Sequence, residues 1–235
     1  MQKSGGISLY WYELIKNFPT QNVNIQFLEN KKIDNLFRNQ LNLQDTTIHH
    51  RSEPIIIDRF TPVRIHNDSI KPTIFHSSYY RRLRNKSENV KEVITLHDLT
   101  EIEYYNFTRY FHKKQIIKAI HQADGIICIS NKTKSDLFQH FPEVNSKPIK
   151  VIHHGITSHY RILPKKELIR LTNKLELQYL LNKDNIVLYV GNRKAKYKNF
   201  LPMVKALKNT DYKLIIAGGE ELSRKELILL NNNLP

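Results

Sequence analysis

Two glycine turns in the sequence carry residue types that bind phosphate groups. The loop "GNRKAKYK" (191–198) begins with a glycine turn and holds Arg193 and Lys198 ahead of a predicted helix. A flexible turn, the positive end of a helix and two cations would together bind a diphosphate. Gly5 and Gly6 precede another amphipathic helix, where glycine lets a phosphate approach the backbone closely. The loop matches neither the Walker A spacing nor a G-x-G-x-x-G fingerprint, which excludes those two kinds of site.

A third candidate site stands at the end of an apolar run. His97 and Asp98 follow "VITL", and ligands of doubly wound sheets bind beyond the carboxyl ends of the strands. Plainer interpretations stay open: His97 as a satisfied residue at a strand end, and Asp98 as a cap for the next turn. The histidines at 153, 154 and 159 do not predict a metal site, because neighbouring strand residues point to opposite faces and no acidic residue or cysteine completes a set.

Alternating strands and helices position these candidates. "KEVITLHD" (91–98) and "DGIICIS" (124–130) are apolar runs of strand length, separated by a predicted helix at 107–123. A second helix follows with Ser130 as N-cap, and "KPIKVIHHGI" (147–156) is the next strand. This alternation predicts an α/β fold with a doubly wound parallel sheet. Ahead of it, "NVNIQFLE" and "PTIFHSS" are predicted strands with a loop-rich stretch between them.

The same rhythm returns near the end of the chain. A strand at 185–192, a helix and a strand at 212–219 form a second βαβ unit. We therefore predict a first domain at 1–160, a charged interdomain linker or helix at 161–184, and part of a second domain at 185–235. One βαβ unit cannot cover both faces of its sheet, so this second domain is expected to be incomplete.

The composition predicts an anionic partner and a reducing compartment. Lysine and arginine outnumber acidic residues 37 to 22, a formal net charge of +15. Phosphorylated substrates or an anionic membrane surface fit this charge, as does a simple compositional bias, whereas no interleaved arginine–aromatic pattern indicates nucleic acid. Cys128 is the only cysteine, which excludes an internal disulfide, and its place in an apolar strand indicates an inert thiol. Without a signal peptide or a bilayer-length apolar run, the sequence predicts a cytoplasmic protein, peripheral on the inner membrane face.

Taken in order, the motifs resemble those of a known family. They are "GGISLYWYELI", "VITLHDLTEIEYY", "AIHQADGIICISNKTKSDL", "IKVIHHGI", "LYVGNRKAKYKNFLPMVKAL" and "KLIIAGGEEL". The series resembles the GT-B fold glycosyltransferases of family 4, also written group 1. The resemblance implies two Rossmann-like domains, the first for the acceptor and the second for a nucleotide-sugar.

The resemblance also implies an activity and roles for the candidate residues. The activity is metal-independent transfer of a hexose from a nucleotide-sugar to a glycan or lipid-linked acceptor, with retained anomeric configuration and without a cofactor. Cell-envelope polysaccharide synthesis is the family's commonest setting. The glycines would approach the donor phosphates, the His–Asp pair would lie near the reacting sugar, and the two cations would hold the diphosphate. The matching positions are Gly5, Gly6, His97, Asp98, Arg193 and Lys198.

The sequence departs from the family pattern at three places. No strand stands ahead of Gly5, and the family's paired-glutamate motif has no counterpart after Gly219. The loop after Gly191 is one residue longer than in the family pattern. Lys196 is therefore an alternative to Lys198 as the matching lysine. We therefore expect a chain truncated at both ends, with the first strand of its first domain missing. The alternative function is a non-catalytic fragment or accessory binding protein of the same fold.

Overall fold

A computed structural model describes most of the chain. The described residues exclude 1–4, 19–22, 33, 45–46, 53, 66–70, 104–109, 158–159, 175–176, 178–184 and 235. The chain forms two compact units, Met1–Ser158 and His159–Pro235. No helix in the described ranges is long and apolar enough to cross a bilayer.

The first unit is an α/β structure built on parallel strands. Its strands are β1 Phe27–Asn30, β2 Ile48–Arg51, β3 Thr73–Ser77, β4 Val90–Leu96, β5 Gly125–Cys128 and β6 Ile149–Val151. Its helices are α1 Gly6–Lys16, α2 Leu36–Asn39, α3 Ile55–Phe60, α4 Thr100–Glu103, α5 Tyr110–Gln122 and α6 Asn131–His140. A 3₁₀ turn at Pro142–Ser146 joins α6 to β6.

Every strand pair of the first unit is parallel, which confirms the predicted fold class. Four strands form one sheet in the order β3-β4-β5-β6, and β1 pairs with β2 in a separate two-stranded sheet. Parallel strands need helical crossovers, and these cover the sheet faces. The expected absence of a first strand concerns the residues ahead of Gly5, which lie outside the described part, so it stays a prediction.

The core of the first unit lies around β4 and β5. Leu96, Ile120, Cys128 and Leu137 are fully buried there and pack in one apolar cluster. Ser130 caps α6 as predicted, because its hydroxyl accepts a hydrogen bond from the Thr133 amide. This cap starts α6 directly after β5, so the helix folds back over the sheet.

The second unit contains the second predicted βαβ arrangement. Its elements are α7 Lys165–Lys174, β7 Ile186–Val190, α8 Phe200–Ala206, β8 Lys213–Ala217 and α9 Arg224–Asn233. Strands β7 and β8 pair in parallel, and Tyr189, Phe200 and Val204 form the core of the unit. The helix α9 begins with a capping box in which Ser223 and Glu226 satisfy each other's backbone amides.

Candidate active site

A buried threonine joins α1 to the sheet at the carboxyl ends of β3 and β4. Oγ1 of Thr95 lies 3.1 Å from the Tyr10 hydroxyl on α1 and 2.9 Å from Nε2 of His76 on β3. A buried hydroxyl must find hydrogen-bond partners, and these two groups supply them. The indole of Trp11 meets the His76 ring edge-on at 4.6 Å, and its Nε1 is buried without an acceptor among the described residues.

His97 stands directly after β4 within a group of rings. Tyr10 approaches it edge-on with ring centroids 5.1 Å apart, and His154 lies 5.5 Å away. Tyr10 and His154 also stack on each other at 4.8 Å. The backbone of His97 is fixed as well: its N–H donates to the Tyr80 hydroxyl at 3.4 Å, and its carbonyl accepts from Thr133 at 3.4 Å. The imidazole therefore has a defined position at the end of the strand.

Burial keeps this histidine neutral at physiological pH. Desolvation, assisted by the neighbouring His154, lowers the pKa of His97 to about 4, against a weaker opposing effect of Asp98. Desolvation also lowers the pKa of His76 to about 4, with a further contribution from His97. A neutral imidazole offers one N–H donor and one acceptor nitrogen, which suits hydrogen bonding to a hydroxyl group.

Asp98 occupies a different environment from its neighbour. Its side chain is exposed, and its Oδ1 accepts a hydrogen bond from the Thr100 amide at 3.1 Å. This contact caps the turn that leads into α4, which is the plainer of the two interpretations drawn from the sequence. Across the residues that the structure describes, no cluster of three histidine, cysteine or acidic side chains could hold a metal ion.

Gly5 and Gly6 form the start of α1. Gly5 is the N-cap residue and provides no side-chain hydrogen bond to the first turn. A Cβ added at Gly6 would meet no atom within 4 Å, so this position itself is not crowded. The first amides of α1 therefore donate no hydrogen bond to an N-cap side chain, which is the condition in which a helix N-terminus attracts an anion.

In the second unit, the Gly191 turn is held by Arg193. The guanidinium donates from Nε to Glu226 at 2.9 Å and from Nη1 to the Gly218 carbonyl at 3.0 Å, and Nη2 donates to the carbonyls of Glu220 and Glu221. The Arg193 side chain is only 6% exposed. It therefore ties the loop after β7 to the loop after β8 and to α9, with most of its donors already used.

Lys198 also lies beside the Gly191 turn, and no ion pair of its ammonium is found among the described residues. It is exposed, and a Cβ added at Gly191 would lie 3.8 Å from its Nζ. Lys194, by contrast, pairs with Glu220. A depression lined by Asn192, Arg193, Lys194, Gly219 and Glu220 has a volume of about 140 Å³, below the range of roughly 300 Å³ and more that is usual for ligand pockets.

A family comparison adds to this geometry. The model of Glycosyltransferase Family 4 matches residues 4–159. The chain belongs to Glycosyltransferase Family 4. A search of curated proteins found no match.

The family-4 match covers the part of the chain that carries Gly5, Gly6, His97 and Asp98. The structure brings α1 to His97 through Tyr10, and this contact was missed in the sequence because 87 positions separate the two residues. The aromatic run "LYWYELI" was the available signal, since three rings on one short helix need partners. Thr95 was also missed, because it lies inside a strand that otherwise appears apolar. Its hydroxyl connects α1 and β3 through Tyr10 and His76.

Proposed function

We propose that this family-4 protein transfers a hexose from a nucleotide-sugar to a glycan or lipid-linked acceptor with retained anomeric configuration. The observation that carries the proposal is the family match over residues 4–159, which supports glycosyl transfer in general. The reaction uses no metal in this proposal, and cell-envelope polysaccharide synthesis is its setting. The protein works in the cytoplasm at the inner membrane face.

The proposed acceptor side is the ring cluster around His97. Its neutral imidazole accepts or donates a hydrogen bond to a sugar hydroxyl, which orients the reacting sugar. The buried N–H of Trp11 has no acceptor among the described residues, and a sugar hydroxyl would satisfy it. Asp98 contributes its negative charge at the same strand end and supports a developing positive charge on the sugar ring.

Each unit is proposed to offer a phosphate-binding turn of its own. In the first unit, the amides at the Gly5–Gly6 turn are suited to a phosphate group, because uncapped helix amides attract anions. Lys198 meets the diphosphate directly, as an exposed ammonium beside the Gly191 turn. Arg193 adds positive charge and fixes the shape of that turn. Cations held in place before reaction stabilise the charge that grows on the leaving diphosphate.

A second candidate function is an accessory binding protein without turnover. The observation that favours it is the engagement of Arg193, whose guanidinium is bound by Glu226 and three backbone carbonyls. An arginine with its donors used in this way offers less to a phosphate than a free one. Such a protein would bind an acceptor glycan and ignore nucleotide diphosphates.

A transfer assay separates the two functions. The protein is incubated with radiolabelled UDP- and GDP-hexoses and a membrane extract, and released nucleotide diphosphate and labelled lipid are counted. Transfer that falls by at least about a hundredfold in His97→Ala and in Lys198→Ala supports the proposal. Lys205→Ala, on the exposed face of α8, is the matched control. Acceptor binding without response to any nucleotide would support the accessory role instead.

A further inference from the structure

The segment from Tyr160 through α7 combines exposed apolar side chains with uncompensated positive charge. Ile162 is 98% exposed, and Leu168 and Ile169 of α7 are 39% and 40% exposed. None of the residues of α7 is buried, and the described core of the second unit does not include any of them. Large apolar side chains grouped on a surface in this way mark a docking site.

The polar residues of the segment carry one sign of charge. Residues 160–174 contain five cations and a single carboxylate. That carboxylate, Glu167, is held by Arg161 through two hydrogen bonds of 2.9 and 3.0 Å. Lys166, Arg170 and Lys174 follow each other at four-residue spacing and so lie along one side of the helix. No ion pair of theirs is found among the described residues, so this side of the helix would attract an anionic partner.

The apolar side of α7 can be buried away from water. Leu168 and Leu171 are three residues apart and lie on the same side of the helix. The Thr172 hydroxyl lies on the same side and donates to the Leu168 carbonyl at 2.9 Å, so it has a partner without water. Lys165 can bury its hydrocarbon stem and keep its ammonium in water. A helix with an apolar side, flanking cations and exposed aliphatic residues ahead of it fits the interface of an anionic bilayer.

We infer that the segment 160–174 lies on the surface of an anionic membrane and attaches the protein there. The inference deepens the proposed peripheral location by naming the surface responsible, and it rests on that part of the proposed function alone. Phosphatidylglycerol-type headgroups neutralise the lysine and arginine stripe, and the aliphatic side chains enter the acyl boundary. Nucleic acid would match the charge but would leave the aliphatic side chains in water, which argues against it.

Vesicle binding of charge variants tests this surface. The full chain is sedimented with vesicles of an equimolar phosphatidylglycerol and phosphatidylcholine mixture, and with phosphatidylcholine alone. The wild type is expected to bind only the anionic vesicles and less in high salt. Replacing Lys166, Arg170 and Lys174 by glutamine should weaken binding on the order of a hundredfold. The matched control removes three exposed charges elsewhere in the second unit, through the substitutions Lys205→Gln, Lys208→Gln and Lys225→Gln. An equal loss in the control, or an absence of vesicle binding, would overturn the inference.

A fluorescent probe then reports which residues enter the bilayer. An environment-sensitive dye is attached to Ile162→Cys, with Leu227→Cys on α9 as the comparison site. Cys128 stays unlabelled because it is buried and burial raises the pKa of its thiol to about 11. A blue shift on anionic vesicles at position 162 and none at 227 is expected. Binding without a blue shift at 162, or tighter α7-dependent binding to a single-stranded oligonucleotide, would overturn the inference. UDP binding by the glutamine variant stays unchanged if both proposals hold, and its absence in every variant would count against the transferase alone.

Discussion

Replacing Arg193 by alanine should destabilise the second unit, beyond any effect on phosphate binding. The guanidinium bonds to Glu226 and to the carbonyls of Gly218, Glu220 and Glu221, all within the unit. Breaking a fully buried charged pair costs roughly 3–5 kcal/mol, and the pair of Arg193 with Glu226 is partly buried. The Glu226 side chain keeps 17% exposure and its hydrogen bonds from Ser223, so water and the capping box compensate in part. We therefore expect a loss of about 3 kcal/mol in the free energy of unfolding.

Hydrogen exchange followed by mass spectrometry measures this loss by segment. Amides of β8 and α9 should exchange about a hundredfold faster in Arg193→Ala, whereas amides of β4 and β5 keep their rates. Arg224→Ala is the matched control, because Arg224 is exposed at the first turn of α9. Arg193→Lys retains the charge but loses the fork of donors, and should fall between the two. Unchanged exchange in β8 and α9 would refute the assignment of Arg193 as the tie between the two loops.

Three further outcomes follow from the described contacts. Gly219→Ala should lower the free energy of unfolding by about 1–3 kcal/mol, because Gly219 has φ +86° and an added Cβ would lie 2.9 Å from Nη1 of Arg193. An unaltered midpoint in a urea titration would contradict this. Tyr10→Phe should cost about 1 kcal/mol by losing the hydrogen bond to Thr95, and a melting temperature equal to that of the wild type would show that this bond adds nothing. Burial lowers the folded-state pKa of His97 to about 4 from an ordinary 6.5, so the unfolded chain binds the proton first and stability should fall as the pH drops from 6.5 to 4. His76 has the same lowered pKa, so His97→Asn should reduce this slope in denaturant titrations without abolishing it.

The elements with continuous apolar runs could be predicted from the sequence. The runs at "EVITL", "GIIC" and "IVLYV" became β4, β5 and β7. In β4 and β5 the aliphatic residues are buried or partly buried, as in parallel strands covered on both faces, whereas Leu188 and Val190 of β7 are 60% and 65% exposed. Ser130 was predictable as a cap for the same kind of local reason. The structure of the first ninety residues was harder to predict. The elements α2, β2 and α3 were not predicted, because each is short and its sequence shows little periodicity.

Candidate site residues could be predicted only where a polar or titratable side chain directly follows a predicted strand. His97 was found in this way, but the rings around it come from α1 and from the loop after β6, which no local pattern connects. Arg193 was predicted from its loop as a phosphate ligand, which stays a prediction, but its hydrogen-bond partners could not be foreseen because they lie 25 to 33 positions further on. The segment at 161–184 was predicted as a linker, and only the exposure of α7 indicates a surface role. Long-range contacts decide these cases, and a single sequence does not show them.

The central claim is that this family-4 chain binds the diphosphate of a nucleotide-sugar through the turn that carries Lys198. Calorimetric titration of the wild type and of Lys198→Ala with UDP and with GDP tests it most directly. We predict that the wild type binds at least one of the two nucleotides. In Lys198→Ala this binding should be weakened about tenfold or more, with an unchanged urea midpoint. No binding of either nucleotide by a folded wild type, or equal affinity in the variant, would contradict the claim.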